Sequence, residues 1–255
     1  EWDSRQVAPR GEILEVLGWP DEVGVDIRGI ILRHGLREEF PGEVLREAEQ
    51  ISSAADDEAS RGRVDWREKV VITIDPADAR DFDDAISVRR LADGWELAVH
   101  IADVSHYVKP DTAIDHEARK RGNSTYLVDR VLPMLPEQLS NGICSLVPGE
   151  DRLTRCAVMD FDRKGTMVRS RFEQAIIRSH CRLTYDDAQT VLDAGGEETG
   201  VVLNEIEALL NECWALAGVL RRRRFSEGAL DLDFPEVRME LDELGRATGY
   251  RRNEY

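Results

Sequence analysis

The stretch from Val71 to Ser87, VITIDPADARDFDDAIS, places five aspartates after an apolar run, and one of them, Asp78, lies between the first two of the other four. The run that leads into it, Val70 to Ile74, is almost entirely β-branched and unbroken, which predicts a buried strand. The other four are Asp75, Asp81, Asp83 and Asp84. Two carboxylates about 5 Å apart repel by roughly 3 kcal/mol at an effective dielectric constant of about 20. A segment with this many like charges either lies open to water or surrounds a cation.

We call residues 75–84 the carboxylate loop, and its donor atoms favour a hard divalent cation. They are carboxylate oxygens without His or Cys, and such donors suit Mg²⁺, with Mn²⁺ as the alternative. In an extended chain Asp81 and Asp83 face one side and Asp84 the other, while a turn would bring them toward Asp75. Two ions about 3.5–4 Å apart can position a hydroxide and stabilise a departing oxygen in phosphodiester hydrolysis.

Two other interpretations of the loop fail at individual positions. An EF-hand loop that starts at Asp75 needs oxygen ligands at its third and fifth positions, Gly at the sixth and Glu at the twelfth. The chain has Ala77, Ala79, Arg80 and Ile86 at those positions. An aspartate-nucleophile phosphatase would carry its second aspartate where Ala77 stands. A solvated acidic loop without any ligand stays open on composition alone.

The composition fits a soluble globular protein of one large domain or one and a half ordinary ones. The chain has 255 residues and a formal net charge of -17. This acidity argues against a protein that coats nucleic acid, but not against an enzyme that meets phosphate through metal ions. The four cysteines form no CxxC pair, so we expect reduced thiols and no zinc site. The polar N-terminus and the lack of an apolar run of about 20 residues predict a cytoplasmic chain without membrane association.

The pattern along the chain divides it into three regions. Residues 10–36 alternate apolar and polar positions around a WPDEVG turn, which predicts short strands, and the region 1–36 is assigned to the end of a small β-barrel. Residues 37–62 predict an acidic, solvent-facing connecting helix that begins near Pro41. Residues 63–255 mix strands and helices, including a β-hairpin with a Lys-Gly turn and a helix capped by Thr184.

Five segments resemble the RNB-family exoribonucleases, the ribonuclease II and ribonuclease R group, in the family's order. They are TIDPADARDFDDAIS, HIADVSHYV, YLVDRVLPMLPEQLSNGICSL, RLTYDDAQ and GALDLDFPE. Arg80 and Phe82 make the acidic signature more similar to the ribonuclease R branch, and Asp78 lies at a variable position. The resemblance implies an α+β fold: a partial, mixed-sheet RNB catalytic domain over residues 63–255, preceded by the end of an OB or cold-shock-like β-barrel.

The resemblance also implies an activity. The family consists of Mg²⁺-dependent, processive hydrolases that degrade single-stranded RNA from its 3′ end to nucleoside 5′-monophosphates. All four aspartates match its metal-binding positions: Asp75 and Asp84 are expected to hold a metal directly, and Asp81 and Asp83 to be catalytic, supporting a second ion and the attacking water. By resemblance, Tyr126 matches the family tyrosine that packs against the terminal nucleotide. The physics agrees, since an aromatic face stacks on any base; a core aromatic is the alternative.

Other polar residues invite a role in the site but are expected to be structural. His100, Asp103 and His106 follow an apolar strand and are interpreted as scaffold beside the carboxylate loop. The arginines Arg221–Arg224 end an amphipathic helix, where cations are stabilising without any RNA contact.

The resemblance ends at Tyr255, about midway through the family's catalytic domain. The expected partners are therefore single-stranded RNA, the remainder of the catalytic domain and an S1 domain, on the same polypeptide or on a second chain. A fragment, one half of a split enzyme and a degenerate relative all stay open. The alternative function is a non-catalytic RNA-binding or regulatory relative that kept the fold.

Overall fold

The computed structural model of the protein describes residues 11–51, 60–194, 204–232, 236–243 and 245–253. The described residues fall into two compact units. The smaller unit draws on Glu1–Phe40, Arg121–Met134 and Asp233–Tyr255, and the larger unit on Pro41–Lys120 and Leu135–Leu232. No helix in these described ranges combines the length and the apolar character that a bilayer span requires.

The described part of the larger unit is built on a seven-stranded sheet with the order β1-β8-β7-β4-β3-β2-β9. Its strands are β1 (Val64–Asp65), β2 (Ile72–Asp75), β3 (Asp84–Leu91), β4 (Gly94–Ala102), β7 (Asp151–Asp162), β8 (Met167–Arg178) and β9 (Cys181–Thr184). The pairs β1–β8 and β2–β9 are parallel, and the other neighbours are antiparallel. The predicted mixed sheet is therefore confirmed.

Tight turns join the long antiparallel strands. The β7–β8 turn is the predicted Lys-Gly turn, with Gly165 at φ 77°. The Oδ1 of Asp162 accepts the N–H groups of Lys164 and Thr166, each at 2.8 Å, which closes the turn. Gly94 begins β4 where a side chain would not fit, because a Cβ there would lie 1.8 Å from the carbonyl oxygen of Phe161.

Two helices pack apolar residues against β2, which leads into the carboxylate loop, and against its parallel neighbour β9. They are α5 (Tyr185–Ala194) and α6 (Asn204–Ser226). Their buried residues join those of β2 and β9 in one cluster that includes Ile72, Leu183, Val191, Leu209 and Leu210. Burial of each such side chain stabilises the fold by about 1.5–3 kcal/mol. The two strands are therefore anchored in the core.

Thr184 caps α5, as the sequence predicts. Its Oγ1 accepts the N–H of Asp187 at 3.0 Å, and its own N–H donates to the Oδ2 of Asp187 at 2.9 Å. This reciprocal pair satisfies two backbone N–H groups at the helix start, those of Thr184 and Asp187. The cap fixes the direction of the chain where β9 ends.

The prediction of short strands across residues 10–36 is wrong where the chain forms a helix. Helix α1 spans Val25–Arg33, and residues 11–19 have no regular secondary structure. Ile27, Ile30 and Ile31 recur at helical spacing, and Ile31 is buried. Short apolar runs fit both periodicities. The charges Asp26 and Arg33 in the first and last turns favour the helix, since they complement its dipole.

The connecting helix starts directly after Pro41, near the predicted start, but one side of the helix is buried. Its charged residues that are exposed as predicted are Glu43, Arg46 and Glu49. Helix α2 spans Gly42–Gln50, and residues 52–59 of the predicted helix lie outside the described residues. Val44 and Ala48 are buried, because they form an apolar stripe four residues apart. Helix α2 lies in contact with the short π-helical segment Gln138–Ile143.

The remaining elements are short. The larger unit also contains the short helix α3 (Val104–Tyr107). Helix α4 (Ala113–Arg121) ends before Gly122, whose φ of 78° is typical of a residue that follows a helix. The smaller unit contains two hairpins, β5 (Thr125–Tyr126) with β6 (Val131–Leu132), and β10 (Glu236–Leu241) with β11 (Ala247–Asn253). The four cysteines are free thiols, as predicted.

Candidate active site

The carboxylate loop joins two neighbouring strands of the sheet. Asp75 is the last residue of β2 and Asp84 the first residue of β3, and the two strands pair through Ile72 and Ile86. On the other side of β2, Asp75 lies opposite Thr184 of β9. Because β2 and β3 are antiparallel, both aspartates lie at the same end of the sheet.

Hydrogen bonds hold the backbone in the second half of the loop. The Oγ of Ser145 accepts the N–H of Phe82 at 3.0 Å and donates to the carbonyl of Arg80 at 3.0 Å. The N–H of Ala102 donates to the carbonyl of Asp83 at 2.9 Å. The peptide groups on both sides of the aspartates are therefore fixed before any ligand binds.

Arg182 holds the first half of the loop. Its Nη2 donates to the carbonyl of Pro76 at 2.5 Å, and its guanidinium lies 5.4 Å from the ring centroid of Phe82. The N–H of Ala79 also donates to the Pro76 carbonyl, at 3.1 Å. Arg182 thus contacts both arms of the loop and places a cation beside its carboxylates.

Asp75 is electrostatically unsatisfied. Burial raises its pKa, and repulsion from Asp84 and Asp81 raises it further, while the neighbouring Thr73 hydroxyl and the charge of Arg182 lower it without reversing the shift. Its Oδ2 atom is buried and has no hydrogen-bond partner among the described residues. Such a buried acceptor costs about 1–3 kcal/mol when it stays unpaired.

Asp83 is exposed at its tip, but neighbouring atoms still remove part of its hydration. This desolvation raises its pKa, and the charges of Asp81, Asp84 and Asp75 add to the shift. The structure therefore brings all four predicted aspartates into one electrostatic cluster.

The donor set fits a hard divalent ion in its chemistry. It consists of carboxylate oxygens, one of them the buried and unpaired Oδ2 of Asp75, and a cation would offset their mutual repulsion. In the part of the chain that the structure describes, no three His, Cys, Asp or Glu residues are grouped to hold one ion. Mg²⁺ is commonly held by one or two carboxylates together with waters and substrate phosphates. An ion at this loop would need such additional oxygens.

Tyr126 lies in the smaller unit, whereas the four aspartates belong to the larger one. It ends β5, pairs with Val131 of β6, and is 70% exposed. The hairpin closes where the N–H of Leu127 donates to the carbonyl of Arg130 at 2.8 Å. Tyr126 is therefore a surface aromatic and not part of a core.

Asp103 is a structural ion-pair centre, as the scaffold interpretation predicts. Its carboxylate is fully buried and accepts bonds from Arg63 Nη2 at 2.7 Å, Arg155 Nε at 3.1 Å and Ser105 Oγ at 2.8 Å. The Nδ1 of His106 lies 3.4 Å from the same Arg63 nitrogen. Burial alone would raise the pKa of Asp103, but the three donors outweigh it and hold the pKa below its usual range.

His100 is part of the core. It is fully buried on β4, its Nδ1 lies 3.1 Å from the Oγ1 of Thr154, and its ring meets Trp66 edge-on. Burial lowers its pKa to about 4, so it stays neutral near pH 7. A neutral, enclosed imidazole of this kind has a packing role.

The arginines Arg221–Arg224 stand in the last turns of α6. The Nη1 of Arg223 donates to the carbonyl of Gly165 at 2.9 Å, and its Nε pairs with Glu227 at 2.7 Å. The segment therefore makes intramolecular contacts that agree with its structural interpretation.

Sequence reasoning missed Ser145 and Arg182 as partners of the loop. Ser145 meets Phe82 across 63 residues of sequence, and Arg182 meets Pro76 across 106. The one available signal was their position inside the segments NGICSL and RLTYDDAQ, which carry the family resemblance. That signal does not indicate which loop atoms they touch.

Comparison with family models gives two matches. The RNB domain matches residues 63–255, and the cold shock domain matches residues 1–41. The second match includes helix α1, so this region resembles the cold-shock family although the predicted strands are absent from Val25–Arg33.

Individual relatives agree with these matches. Ribonuclease R of Thermotoga maritima is 45% identical over 245 residues, which cover 93% of this chain and 34% of the relative. The structure of Mycoplasma genitalium RNase R in complex with ribose methylated single-stranded RNA has a TM-score of 0.88 at 30% identity, covering 94% of this chain and 37% of that one. The complex of the same enzyme with double-stranded RNA has a TM-score of 0.87 at 30% identity, covering 94% and 42%.

The chain thus spans about a third of the length of the curated ribonuclease R. The RNB model accounts for far more than half of the chain, and the α+β fold with its mixed sheet agrees with the solved relatives. The chain belongs to the RNB family.

Proposed function

We propose that the protein contributes the front part of a processive 3′-to-5′ exoribonuclease that hydrolyses single-stranded RNA to nucleoside 5′-monophosphates. The observation that carries this proposal is the cluster of four aspartates where β2 ends and β3 begins, with a buried Asp75 oxygen left unpaired. A binding surface for RNA alone does not require concentrated negative charge, because phosphate attracts cations. A hydrolytic centre based on divalent ions does require it.

Mg²⁺, with Mn²⁺ as the alternative, is the proposed cofactor. Asp75 and Asp84 would hold it. When bound, it would polarise the phosphoryl oxygen and lower the pKa of a water molecule, so that hydroxide is available as the nucleophile. Asp81 and Asp83 would orient the attacking water and support a second ion. Asp83 suits this task because its carboxylate is exposed while its backbone is fixed by Ala102.

Tyr126 is the proposed contact for the terminal nucleotide. The residue is 70% exposed, and an aromatic ring holds a base by stacking without reading the sequence. The relative from Mycoplasma genitalium forms complexes with single-stranded and double-stranded RNA, and single-stranded RNA is the substrate proposed for this chain.

The proposed domain organisation keeps three regions. Residues 1–36 close a cold-shock-like barrel, residues 37–62 connect, and residues 63–255 form the first part of the catalytic domain. The remainder of that domain and an S1 domain are the proposed partners, on the same polypeptide or a second chain. A cytoplasmic location is supported by the free cysteines, since oxidising compartments favour disulfides.

The test of this function is calorimetric titration of Mn²⁺ and Mg²⁺ into the chain. The double variant Asp75→Asn/Asp84→Asn should lose binding, because it removes both proposed direct ligands. The matched control is Asp78→Asn, which removes the same charge from an exposed position of the same loop and should bind as the wild type does. The samples are then assayed on a 3′-tailed single-stranded RNA with the downstream half of a relative supplied. Equal metal binding by the double variant and the wild type would refute the proposed centre.

The second candidate is a non-catalytic RNA-binding or regulatory relative. One observation favours it, namely that the described residues contain no three-ligand group for a metal. RNA binding by the wild-type chain together with the supplied downstream half, without any hydrolysis in Mg²⁺ or Mn²⁺, would establish it over the first candidate.

A further inference from the structure

A buried serine lies against the backbone of the carboxylate loop. Ser145 is fully buried and follows the short π-helical segment Gln138–Ile143. Its hydroxyl uses both of its capacities on the loop, accepting from the N–H of Phe82 and donating to the carbonyl of Arg80, each at 3.0 Å. These two peptide groups flank Asp81, so the hydroxyl forms hydrogen bonds with the backbone on both sides of that residue.

The neighbours of Ser145 extend this contact. The N–H of Leu146 donates to the carbonyl of Phe82 at 2.9 Å, which fixes the peptide group that leads into Asp83. On the other side, the Nε of Arg152 donates to the carbonyl of Ser145 at 2.8 Å. The side chain of Arg152 is itself largely buried. The chain of contacts therefore runs from the sheet through Ser145 to the loop.

The like charges in the loop explain why such a contact matters. Asp83 is repelled by Asp81, Asp84 and Asp75, and repulsion drives the carboxylates apart unless the backbone resists. The hydrogen bonds of the Ser145 hydroxyl hold the backbone in place without adding charge. It acts on the peptide groups and leaves the carboxylate oxygens to a ligand.

We propose that Ser145 is a positioning residue that holds Asp81 and Asp83 together against their mutual repulsion and thereby raises the affinity of the loop for a divalent cation. This inference rests on the proposed metal centre. It assigns the buried serine a role in the ion-free protein, where the geometry is set before the ion arrives.

The test compares Ser145→Ala with Ser179→Ala. Ser179 is the matched control, because it is also a buried serine whose hydroxyl donates to a backbone carbonyl, that of Cys181, at 3.2 Å. Two quantities are measured: hydrogen exchange at the amide of Phe82 without metal, and the Mn²⁺ dissociation constant by titration. Loss of the hydroxyl leaves the partly buried N–H of Phe82 and carbonyl of Arg80 without this partner, so both quantities should change by about tenfold in Ser145→Ala. Ser179→Ala should change neither.

A graded variant separates positioning from general loss of structure. Ser145→Cys keeps the size of the side chain and replaces the hydroxyl with a weak donor and acceptor. Phe82 protection and Mn²⁺ affinity should therefore both fall in the order Ser, Cys, Ala. Thermal unfolding of each variant identifies one that fails to fold, in which case the Cys variant alone decides.

The outcomes distinguish the inference from the proposed function. Unchanged Phe82 exchange in Ser145→Ala, or faster exchange with unchanged Mn²⁺ affinity, overturns the role of Ser145 while the metal centre stands. A wild-type chain that binds no Mn²⁺ overturns the metal centre and this inference with it. Parallel losses in both readouts, absent from Ser179→Ala, support the role.

Discussion

Two acidic regions of the larger unit differ in how their charge is compensated. The carboxylate of Asp103 is buried and receives bonds from two arginines and a serine, and its pKa lies below the usual range. Asp75 lies among three like charges, its Oδ2 lacks a partner in the described residues, and its pKa is raised. A carboxylate that the protein satisfies completely is a structural element. One that it leaves unsatisfied is available to a ligand.

The largest expected effect comes from a substitution of Asp103, the carboxylate whose charge is fully compensated. Asp103→Asn should lower the free energy of unfolding by about 3 kcal/mol, because it removes the carboxylate that pairs with the buried guanidinium of Arg63. Urea unfolding measures this loss. The control is Asp93→Asn, whose carboxylate forms an exposed ion pair and should leave the unfolding midpoint unchanged. If Asp103→Asn left the urea midpoint unchanged, Asp103 would not be a stabilising ion-pair centre, and its contrast with Asp75 would fail.

The next largest effect concerns the carboxylate loop and is expected in the rate of RNA hydrolysis. Asp83→Asn, with the downstream half supplied, should reduce RNA hydrolysis by at least about 100-fold while RNA binding stays largely intact. The reason is that the variant removes a carboxylate expected to orient the attacking water. Single-turnover hydrolysis and filter binding measure the two quantities, with Asp78→Asn as the control. Hydrolysis at the wild-type rate would remove Asp83 from the catalytic group.

A smaller effect, of opposite sign, is expected for stability. Without metal at pH 7, Asp75→Asn should raise the free energy of unfolding by about 1 kcal/mol, because it removes repulsion from Asp81 and Asp84. Urea unfolding in a chelating buffer measures the gain. A loss of stability would mean that Asp75 is compensated after all.

The pH dependence sharpens the same contrast. The folded pKa of Asp75 lies above the usual 3.8, so its stabilising contribution is complete below that value and is lost as the pH rises through the raised pKa. The advantage of Asp75→Asn should therefore grow with pH. For Asp103 the folded pKa is lowered, so its contribution is present above 3.8 and is lost as the pH falls through the lowered pKa. The deficit of Asp103→Asn should shrink in acid.

The smallest effect on stability is expected outside both regions. Tyr126→Ala should change the free energy of unfolding by no more than about 0.5 kcal/mol, because the ring is exposed. With the downstream half supplied, it should nevertheless alter the length of the smallest undegraded RNA. Gel analysis of the end products measures this length. An unchanged end product would remove Tyr126 from the proposed RNA contacts.

Local patterns allowed much of the fold to be predicted from the sequence. The β-branched run before Asp75, the Lys-Gly turn and the cap at Thr184 each depend on residues a few positions apart, and each is present in the structure. Helix α1 was missed because its short apolar run fits a strand as well as a helix. Its first and last turns carry the charges that decide the matter.

The site was predictable in its residues but not in its support. The four aspartates stand together in the sequence, so their chemistry could be inferred from spacing and residue type. Ser145 and Arg182 reach the loop from distant segments, and neither carries a local pattern that indicates a contact with Phe82 or Pro76. Contacts of this kind arise from the order of strands in the sheet, which a local pattern does not encode.

The parallel pairing of β1 with β8 has a consequence for the order of assembly during synthesis. Arg63, which precedes β1, contacts the carbonyl of Ala175, 112 residues later. At a ribosomal rate of about 5–20 residues per second, that partner emerges roughly 5–20 s after Arg63. The apolar residues Val71 and Ile72 likewise wait for β9 before both sides of β2 are covered. The strand that carries the first aspartate therefore has one side uncovered from its own synthesis until β9 emerges.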